Sequence, residues 1–312
     1  MVSTQVRSPR AKQSFIQYVL RNPWLYILMI PGVLFMLIFR YTPMYGIIIA
    51  FKEFNLVKGI FDSPWVGFAN FAYLFQSEAF LRVFRNSVLI SFYRLAFAFP
   101  VPILLAIMLS EVRGIVFKRV VQTIVYLPHF ISWVVIAGIM QNLLSPSTGV
   151  VNIIIKAFGG EAIAFLQEAK YFRSVIVVSD IWKEAGWGTI IYLAAIVGID
   201  TQLYEAAIID GANRIQRIWY VTIPGILTTI VVILILRMGY ILRNGFEQIF
   251  LLYNPIVMEV ADVFETYTYV VGIREGRFSF ATAVGLFQSL IGLVFILLTN
   301  RFAKKYGEGG LW

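Results

Sequence analysis

The feature that most restricts the fold of this chain is a series of six long apolar stretches. Each contains about 20 residues, the length of helix that crosses the hydrocarbon core of a bilayer. A helix of this kind satisfies its own backbone hydrogen bonds where no water is present. We therefore predict an all-α membrane protein with about six transmembrane helices, near residues 23–45, 86–109, 120–144, 174–199, 222–243 and 280–300.

The composition supports this class of protein. Hydrophobic residues make up 59% of the chain and charged residues 14%, whereas a soluble domain carries about 25% charge. The net charge of +9 comes from basic residues scattered through short loops, which favours retention at a membrane over nucleic-acid binding. The chain has no Cys and one His, which excludes disulfides, thiol nucleophiles and multi-His metal centres.

The distribution of charge predicts the orientation. Residues 1–22 contain basic residues and no acidic one, so we predict a cytoplasmic N-terminal tail followed by one transmembrane domain over residues 23–312. No small-residue cleavage site follows the first apolar run, which favours an uncleaved first helix over a signal peptide. The loops predicted to lie inside are the short ones that are poor in acidic residues. Both termini are therefore expected in the cytoplasm.

Proline and glycine occur within several predicted spans, and longer aromatic-rich segments connect others. We predict kinks at the interruptions, which are Pro31, Gly32, Pro100, Pro102, Pro128, Gly186, Gly188 and Gly239. Residues 46–85 are expected to form turns and one short amphipathic helix near Asn70–Gln76. Residues 244–279 are too polar to span a membrane, and we expect a re-entrant or surface helix that shapes the outer mouth.

A polar island at residues 200–224, between the fourth and fifth spans, has a distinctive spacing. It consists of Glu-Ala-Ala, three residues, Gly, nine residues, two aliphatic residues separated by one position, and Pro. Alanines favour helix, glycine permits a left-handed break, and proline cannot continue a helix interior. We predict a helix over residues 201–209 with Asp200 as N-cap, then a second short helix anchored by Ile215, Ile218 and Trp219.

This spacing resembles the cytoplasmic loop of permease subunits in binding-protein-dependent ABC transporters. In that family the more frequent residues at the two aliphatic positions are Ile and Leu, where this chain has Val221 and Ile223. The resemblance extends from about residue 24 to the end of the chain. Shorter segments are similar to the carbohydrate-uptake branch, the maltose-type and polysaccharide-type permeases: Val66–Phe71, Arg85–Ser87, Leu127–Ser132, Gly149–Asn152 and Ile181–Gly186.

The resemblance implies a type I ABC importer permease with a cytoplasmic coupling helix that enters a groove of the ATPase. The chain would be a non-catalytic, multi-pass subunit of a bacterial cell membrane. Its expected partners are an ATP-binding cassette dimer, a second homologous permease, an extracytoplasmic sugar-binding protein and the lipid bilayer, with no nucleic acid. The residues implied in ATPase coupling are Glu205, Ala206, Ala207, Asp210, Gly211, Arg214 and Pro224.

The chain itself has no phosphate-binding loop of the form G-x-x-x-x-G-K-[ST], so it carries no nucleotide site of that kind. No cofactor is therefore expected in this chain, and ATP and Mg would be bound by the partner ATPase. The sequence also lacks H-E-x-x-H and G-x-S-x-G, which leaves an intramembrane metalloenzyme or hydrolase without a recognisable site.

Charged residues within the spans are costly unless they face water or a partner, so they are candidates for a substrate pathway. Asp180, Lys183 and Glu184 share one helical face, and tryptophans beside them could stack on pyranose rings. The alternative is a structural network, for instance Asp180 or Glu184 with Arg237, and His129 as a helix-packing group. The candidate pathway residues are Arg94, His129, Trp182, Lys183, Glu184, Trp187, Arg237 and Tyr240.

Three basic residues against two acidic ones make the predicted interior weakly positive, which suits an acidic oligosaccharide such as a uronate oligomer. The sequence thus predicts the membrane subunit of an ATP-driven sugar importer. The alternative function is a proton-coupled secondary transporter in which Asp180, Lys183 and Glu184 form a proton relay. Six spans without an internal inverted repeat argue against that alternative. A membrane scaffold or enzyme has no positive feature in the sequence.

Overall fold

The structure is a computed structural model that describes residues 20–305. Most of the predicted N-terminal tail, residues 1–19, and the last residues, 306–312, lie outside the described part. Within residues 20–305 the protein is helical and contains no β-strand. Its β-structure there consists of two isolated antiparallel bridges, Lys52 with Trp65 and Asn55 with Gly59. The all-α prediction is confirmed.

Four continuous helices are long and apolar enough to cross a membrane, namely Pro23–Phe51, Glu78–Glu111, Arg214–Gly239 and Phe278–Lys305. Two bent helix pairs complete a set of six spans if each pair is counted once. One pair joins Ile115–Phe130 to Trp133–Leu143 at 103°, and the other joins Ala169–Val197 to Thr201–Ile209 at 69°. Each predicted span overlaps one of these elements.

The α-helices are α1 (Pro23–Met36), α2 (Gly59–Asp62), α3 (Ala69–Gln76), α4 (Glu78–Tyr93), α5 (Pro100–Glu111), α6 (Ile115–Tyr126), α7 (Trp133–Leu143), α8 (Val150–Ala157), α9 (Ala169–Val197), α10 (Thr201–Ile209), α11 (Arg214–Arg217), α12 (Ile223–Gly239), α13 (Phe246–Leu252), α14 (Met258–Ala261), α15 (Phe264–Tyr269) and α16 (Phe278–Lys305). Wider π-helical turns occupy Leu37–Tyr41, Arg94–Ala98, Ile218–Thr222 and Val270–Arg274, and tighter 3-10 turns occupy Thr42–Phe51 and Leu127–Phe130.

Some prolines bend the span that contains them, whereas other spans accommodate a proline and continue. Pro128 lies in the 3-10 turn that precedes the 103° break between α6 and α7, so a kink there is confirmed. Pro100 and Pro224 each follow a π-helical turn, whose bonds join residues five apart. The wider turn accommodates a ring that would otherwise clash with the preceding turn. Pro31 lies within α1 and does not interrupt its span.

This accommodation corrects the prediction for residues 213–224. We expected a second short helix that Pro224 would end. Instead, α11 continues through the π-helical turn into α12, and the whole span runs from Arg214 to Gly239. The span therefore begins eight positions before the predicted start near residue 222.

Glycines in α9 serve close packing rather than bending, which corrects the predicted kinks. The helix is unbroken from Ala169 to Val197. A Cβ atom at Gly186 would lie 2.0 Å from the backbone oxygen of Val125, and one at Gly188 would lie 3.1 Å from Pro102 Cγ. Because the first contact is with backbone, the two helices approach there more closely than any larger residue allows.

The buried core has three parts, stacked along the spans. One surrounds Phe80, Phe264 and Phe280, a second surrounds Phe172 and Ile249, and the third contains Ala106, Tyr192 and Ile226. Residues 52–77, 144–168 and 240–277 connect the spans on the side opposite α10, and we call this side the far face. The amphipathic helix predicted there is α3, whereas residues 244–279 form three short helices, α13 to α15.

The close approach at Gly186 gives a first testable prediction. Gly186→Ala should force α6 and α9 apart and lower stability by about 1–3 kcal/mol, measured as the unfolding midpoint of the detergent-solubilised protein. Gly285→Ala in α16 is the matched control, because no atom lies within 4 Å of the added methyl group. Equal midpoints for both variants would contradict the packing role.

Candidate functional site

The first candidate site is the helix α10, which projects from the end of α9. The two helices are bent by 69° relative to each other. The side chain of Asp200 accepts a hydrogen bond from the backbone N–H of Gln202 at 2.9 Å, so it caps the first turn of α10. Both the predicted bounds of this helix and its N-cap are confirmed.

The end of α10 depends on the backbone of Gly211. This residue has φ of +79°, in the left-handed region, where a side chain is strained. Two hydrogen bonds close the turn, from Gly211 N–H to Ile208 O at 3.0 Å and from Ala212 N–H to Ala207 O at 2.8 Å. The space beside Gly211 is open, so the conformation rather than crowding selects glycine.

Most of α10 is exposed, including large apolar side chains. Leu203 is 54% exposed and Ile209 is 86% exposed, and Ile208 is similarly open. Exposed apolar side chains on a polar loop are typical of a protein contact surface. Ala207 is half-buried, and the other predicted coupling residues are exposed: Glu205, Ala206, Asp210, Gly211, Arg214 and Pro224.

A hydrogen bond ties α10 to the start of the fifth span. The hydroxyl of Tyr204 lies 3.0 Å from that of Thr222, which is buried in the π-helical turn. Asn213 and Gln216 form a reciprocal capping box that starts α11, a local feature with a recognisable spacing. Sequence reasoning missed the link between Tyr204 and Thr222, because two residues 18 positions apart carry no local signal.

The second candidate site is a set of polar side chains in the middle of the spans. Arg94 approaches Asp180 of α9, with Nε 3.7 Å from Oδ2, and donates to the side chain of Gln248 in α13. Gln248 in turn donates to Ile176 O at 2.7 Å. Among residues 20–305 the carboxylate of Asp180 forms its direct ion pair with Arg94, whereas the Arg237 guanidinium lies 5.9 Å from the ring centroid of Phe99.

Lys183 lies at the centre of α9 and is 6% exposed. Its ammonium donates to the carbonyls of His129 at 2.6 Å and Ile131 at 2.7 Å, and more weakly to that of Pro128 at 3.4 Å. The carbonyl of Pro128 also accepts from the backbone N–H of Ile131 at 3.1 Å, whereas those of His129 and Ile131 lie at the 103° break, where helical partners are lost. Lys183 therefore uses its three donors to stabilise the break.

His129 and Trp187 form a flat, partly open surface next to this break. Their rings are parallel within 5°, with centroids 4.5 Å apart. His129 Nδ1 lies 2.8 Å from Glu184 Oε2, and Trp187 remains 46% exposed. The structure thus brings together four of the predicted pathway residues, His129, Lys183, Glu184 and Trp187.

The remaining pathway candidates lie apart from this group. Trp182 lines an apolar cavity of about 470 Å³ between α7 and α9. Tyr240 follows α12, is exposed, and lies under the guanidinium of Arg243 at 4.8 Å. The structure gives no bound substrate, so the pathway role of all eight residues stays a prediction.

Buried polar groups hold the far face on the spans. Asn86 donates to the carbonyl of Glu259 at 2.8 Å and accepts from Arg173 at 2.8 Å. Glu265 Oε1 accepts from the backbone N–H of Asn244 at 3.1 Å and from Gln288 at 3.2 Å. Its second oxygen is buried without a hydrogen-bond partner among residues 20–305. Burial raises the pKa of the Glu265 carboxyl above its ordinary value of 4.5.

The raised pKa of Glu265 gives a second prediction. The folded protein holds this proton more tightly than the unfolded chain, so the contribution of this carboxyl to stability is fully present below pH 4.5 and is lost as pH rises through the raised pKa. Glu265→Gln keeps the acceptor oxygen and removes the charge. It should raise the thermal midpoint at pH 8 by about 2–4 °C and flatten its pH dependence.

The matched control is Glu247→Gln, which changes an exposed glutamate of α13. It should alter neither the thermal midpoint at pH 8 nor the pH dependence of the midpoint. Thermal unfolding in detergent, followed by tryptophan fluorescence at several pH values, measures both. A lower midpoint for Glu265→Gln at pH 8 would show that the charge stabilises the far face.

Curated proteins similar to this chain include two from Bacillus subtilis (strain 168). The chain is 47% identical over 299 residues to Protein LplB, covering 96% of this chain and 94% of the relative. It is 46% identical over 294 residues to the polygalacturonan/rhamnogalacturonan transport system permease protein YteP, covering 94% of this chain and 92% of the relative.

Two solved structures share the fold. A bacterial ABC transporter involved in the import of the acidic polysaccharide alginate contains a chain with a TM-score of 0.86 and 45% identity, covering 93% of this chain and 98% of that one. A bacterial alginate ABC transporter in complex with an alginate pentasaccharide-bound periplasmic protein gives a TM-score of 0.88 and 43% identity, covering 96% and 100%.

These similarities confirm the predicted ABC importer permease fold. The family profile described as "Binding-protein-dependent transport system inner membrane component" matches residues 98–308, more than half of the chain. The matched region contains α10 and the polar residues around Lys183 and His129, and it begins four positions after Arg94. The chain therefore belongs to the family of binding-protein-dependent transport system inner membrane components.

Proposed function

We propose that this chain is a permease subunit of an ATP-driven importer and that it forms, with a second homologous permease, the pathway for an acidic oligosaccharide. An extracytoplasmic binding protein delivers the sugar. The observation that carries the proposal is α10, a capped helix at 69° to α9 with an exposed apolar surface. This is the shape of a helix that enters a groove on a partner.

The partner of α10 is an ATPase dimer. The chain has no phosphate-binding loop of its own, so ATP and Mg are held by the other subunits. Leu203, Ile208 and Ile209 supply apolar contact, while Glu205 and Arg214 offer charges at its edge. This assignment places residues 200–224 and both termini in the cytoplasm.

Coupling requires that a movement of α10 reaches the spans. At one end, α10 is separated from α9 by a short turn that includes the N-cap Asp200. Within the helix, Tyr204 is hydrogen-bonded to Thr222 in the π-helical turn of the fifth span. Two attachments, one to each span, make α10 and these helices a unit that can move as a rigid body. Closure of the ATPase dimer then opens and closes the pathway.

The stacked pair of His129 and Trp187 is the strongest candidate for contact with sugar in the pathway. Aromatic faces present a flat apolar surface to a pyranose ring, and Glu184, bound to His129, can accept from hydroxyl groups. Arg94, Trp182, Arg237 and Tyr240 are assigned to other parts of the same pathway. Lys183 stabilises the break between α6 and α7 and so fixes the position of His129.

The substrate class rests on two observations. Away from the ends of the predicted spans, the charged side chains are the basic Arg94, Lys183 and Arg237 and the acidic Asp180 and Glu184. The relatives include a permease named for polygalacturonan and rhamnogalacturonan and a transporter of the acidic polysaccharide alginate. Both support a uronate oligomer as the transported sugar.

Glu205→Arg tests the coupling proposal. Reversing this charge on the exposed face of α10 should reduce association with the ATPase and lower ATP hydrolysis stimulated by the sugar-loaded binding protein at least about tenfold. Glu275→Arg, an exposed glutamate on the far face, is the matched control and should leave association intact. Unchanged uptake that follows a pH gradient instead of ATP would support a secondary transporter.

Tyr204→Phe tests the transmission of movement. Removing the hydroxyl leaves Thr222 buried without this partner, which loosens the attachment of α10 to the fifth span. ATPase association should remain, while sugar transported per ATP hydrolysed should fall about two- to fivefold. Tyr220→Phe removes a hydroxyl from a tyrosine that is exposed and serves as the control. The same loss in both variants would refute a specific link.

A further inference from the structure

Three exposed arginines of the far face are held on aromatic rings. The guanidinium of Arg243 lies 4.8 Å from the ring centroid of Tyr240, that of Arg277 lies 4.8 Å from Phe280, and that of Arg274 lies 5.4 Å from Tyr269. Within residues 20–305 none of the three has a carboxylate oxygen within 4.0 Å. These cations are therefore positioned by rings and remain free to meet an anion.

Arg274 differs from the other two because its rings belong to a larger aromatic cluster. Its guanidinium also lies 5.8 Å from Phe250. Phe250 has its centroid 4.9 Å from that of Phe246 and 5.2 Å from that of Tyr269, and it lies 5.8 Å from Tyr253. All four rings are only partly buried, so the cluster presents aromatic surface beside the cation.

The cluster occupies one face of α13, and the opposite face is packed into the protein. Gln248, Ile249 and Leu252 are buried there, and Gln248 accepts from Arg94 within the spans. The short helix thus separates the exposed Arg274 on one side from Arg94 on the other. A sugar held at Arg274 would be one helix away from the polar groups of the predicted pathway.

The surroundings of Arg277 are different. One of its rings, Phe280, is 3% exposed and belongs to the buried core, and the other is Tyr73 at 5.1 Å. The open aromatic surface beside this cation is the single ring of Tyr73, which is 48% exposed. Arg277 is therefore similar to Arg274 in charge, exposure and stacking, but it lacks a cluster on which a sugar ring can lie.

The chemistry of this arrangement points to one class of ligand. A guanidinium stacked on a ring keeps its plane fixed, and its in-plane N–H groups can bind a carboxylate with two parallel hydrogen bonds. Adjacent partly exposed rings offer apolar contact to the C–H face of a sugar. A uronate residue has both groups, a carboxylate and a pyranose ring. Glu275 follows Arg274 in the sequence and Glu247 lies in α13 beside Phe246, but neither exposed carboxylate lies within 4.0 Å of the Arg274 guanidinium.

We propose that Arg274, Phe250 and Tyr269 form a subsite for a carboxylate-bearing sugar residue at the outer mouth of the pathway. This inference rests on the proposed function and adds a selectivity site that lies outside the spans. The subsite receives a uronate unit as the oligosaccharide leaves the binding protein. It distinguishes acidic from neutral chains before they reach the polar groups around Arg94.

Arg274→Gln tests the subsite in the assembled transporter with its ATPase and binding protein in proteoliposomes. The probes are a galacturonate trisaccharide and its methyl ester, which has the same sugar without the charges. At subsaturating substrate, uptake of the acid should fall about tenfold relative to wild type, and uptake of the ester should change less than about twofold. The same binding protein serves both measurements, so its own selectivity cancels in each variant-to-wild-type ratio.

Arg277→Gln is the matched control and should leave the uptake of both probes within about twofold of wild type. Arg274→Lys keeps the charge without the planar fork and should recover part of the uptake of the acid. Equal losses for acid and ester, or no loss for either, would overturn the subsite. A loss of ATPase stimulation by the sugar-free binding protein would instead assign Arg274 to protein docking.

Uptake by the wild-type transporter distinguishes a failure of this inference from a failure of the proposed function. Uptake of neither saccharide would overturn sugar import and the subsite together. Uptake of the ester with no uptake of the acid would overturn the subsite alone, because import of sugar would still stand.

Discussion

A broken helix inside a bilayer leaves backbone carbonyls that water cannot reach, and the interaction of Lys183 with the break after Pro128 meets this constraint. A charged side chain at mid-bilayer is costly unless it has partners, and unpaired carbonyls are costly as well. The hydrogen bonds from the Lys183 ammonium to the carbonyls of His129 and Ile131, 2.6 and 2.7 Å long, lower the cost of burying the charge and the cost of the unpaired carbonyls together. The break places His129 against Trp187 and Glu184, so the geometry of this aromatic and polar group depends on how Lys183 holds the break.

The ion pairs of Asp180 and Glu184 indicate what the charges within the spans do. Asp180 lies near Arg94, and Glu184 lies near both His129 and Lys183, with Nζ 3.8 Å from Oε1. A proton relay needs groups that pass a proton from one to the next across the membrane. Here the two acids have separate basic partners on different elements, an arrangement that fits fixed helix positions and local polarity better than a relay.

The sequence predicted the features whose causes are local. The spans follow from hydropathy, and the bounds of α10 follow from Asp200, the alanines and Gly211, whose effects act within one turn. The partners of Arg94 and Lys183, and the close approach at Gly186, depend on which helices meet, and no short-range pattern encodes that. The π-helical turn before Pro224 was missed for a related reason: a proline removes one hydrogen bond, but the surrounding packing decides whether the helix ends or widens.

The two candidate sites are joined by α9, which carries Lys183 and Glu184 at its middle and α10 beyond its end. The helix is unbroken over 29 residues, and Gly186 holds it against the backbone of α6. In the proposed mechanism, a displacement of α10 would be transmitted along this unbroken helix to the break that carries His129. The glycines of α9, which a sequence pattern assigns to bending, instead allow close contact with α6 and α5, which favours transmission of a movement over its loss in a bend.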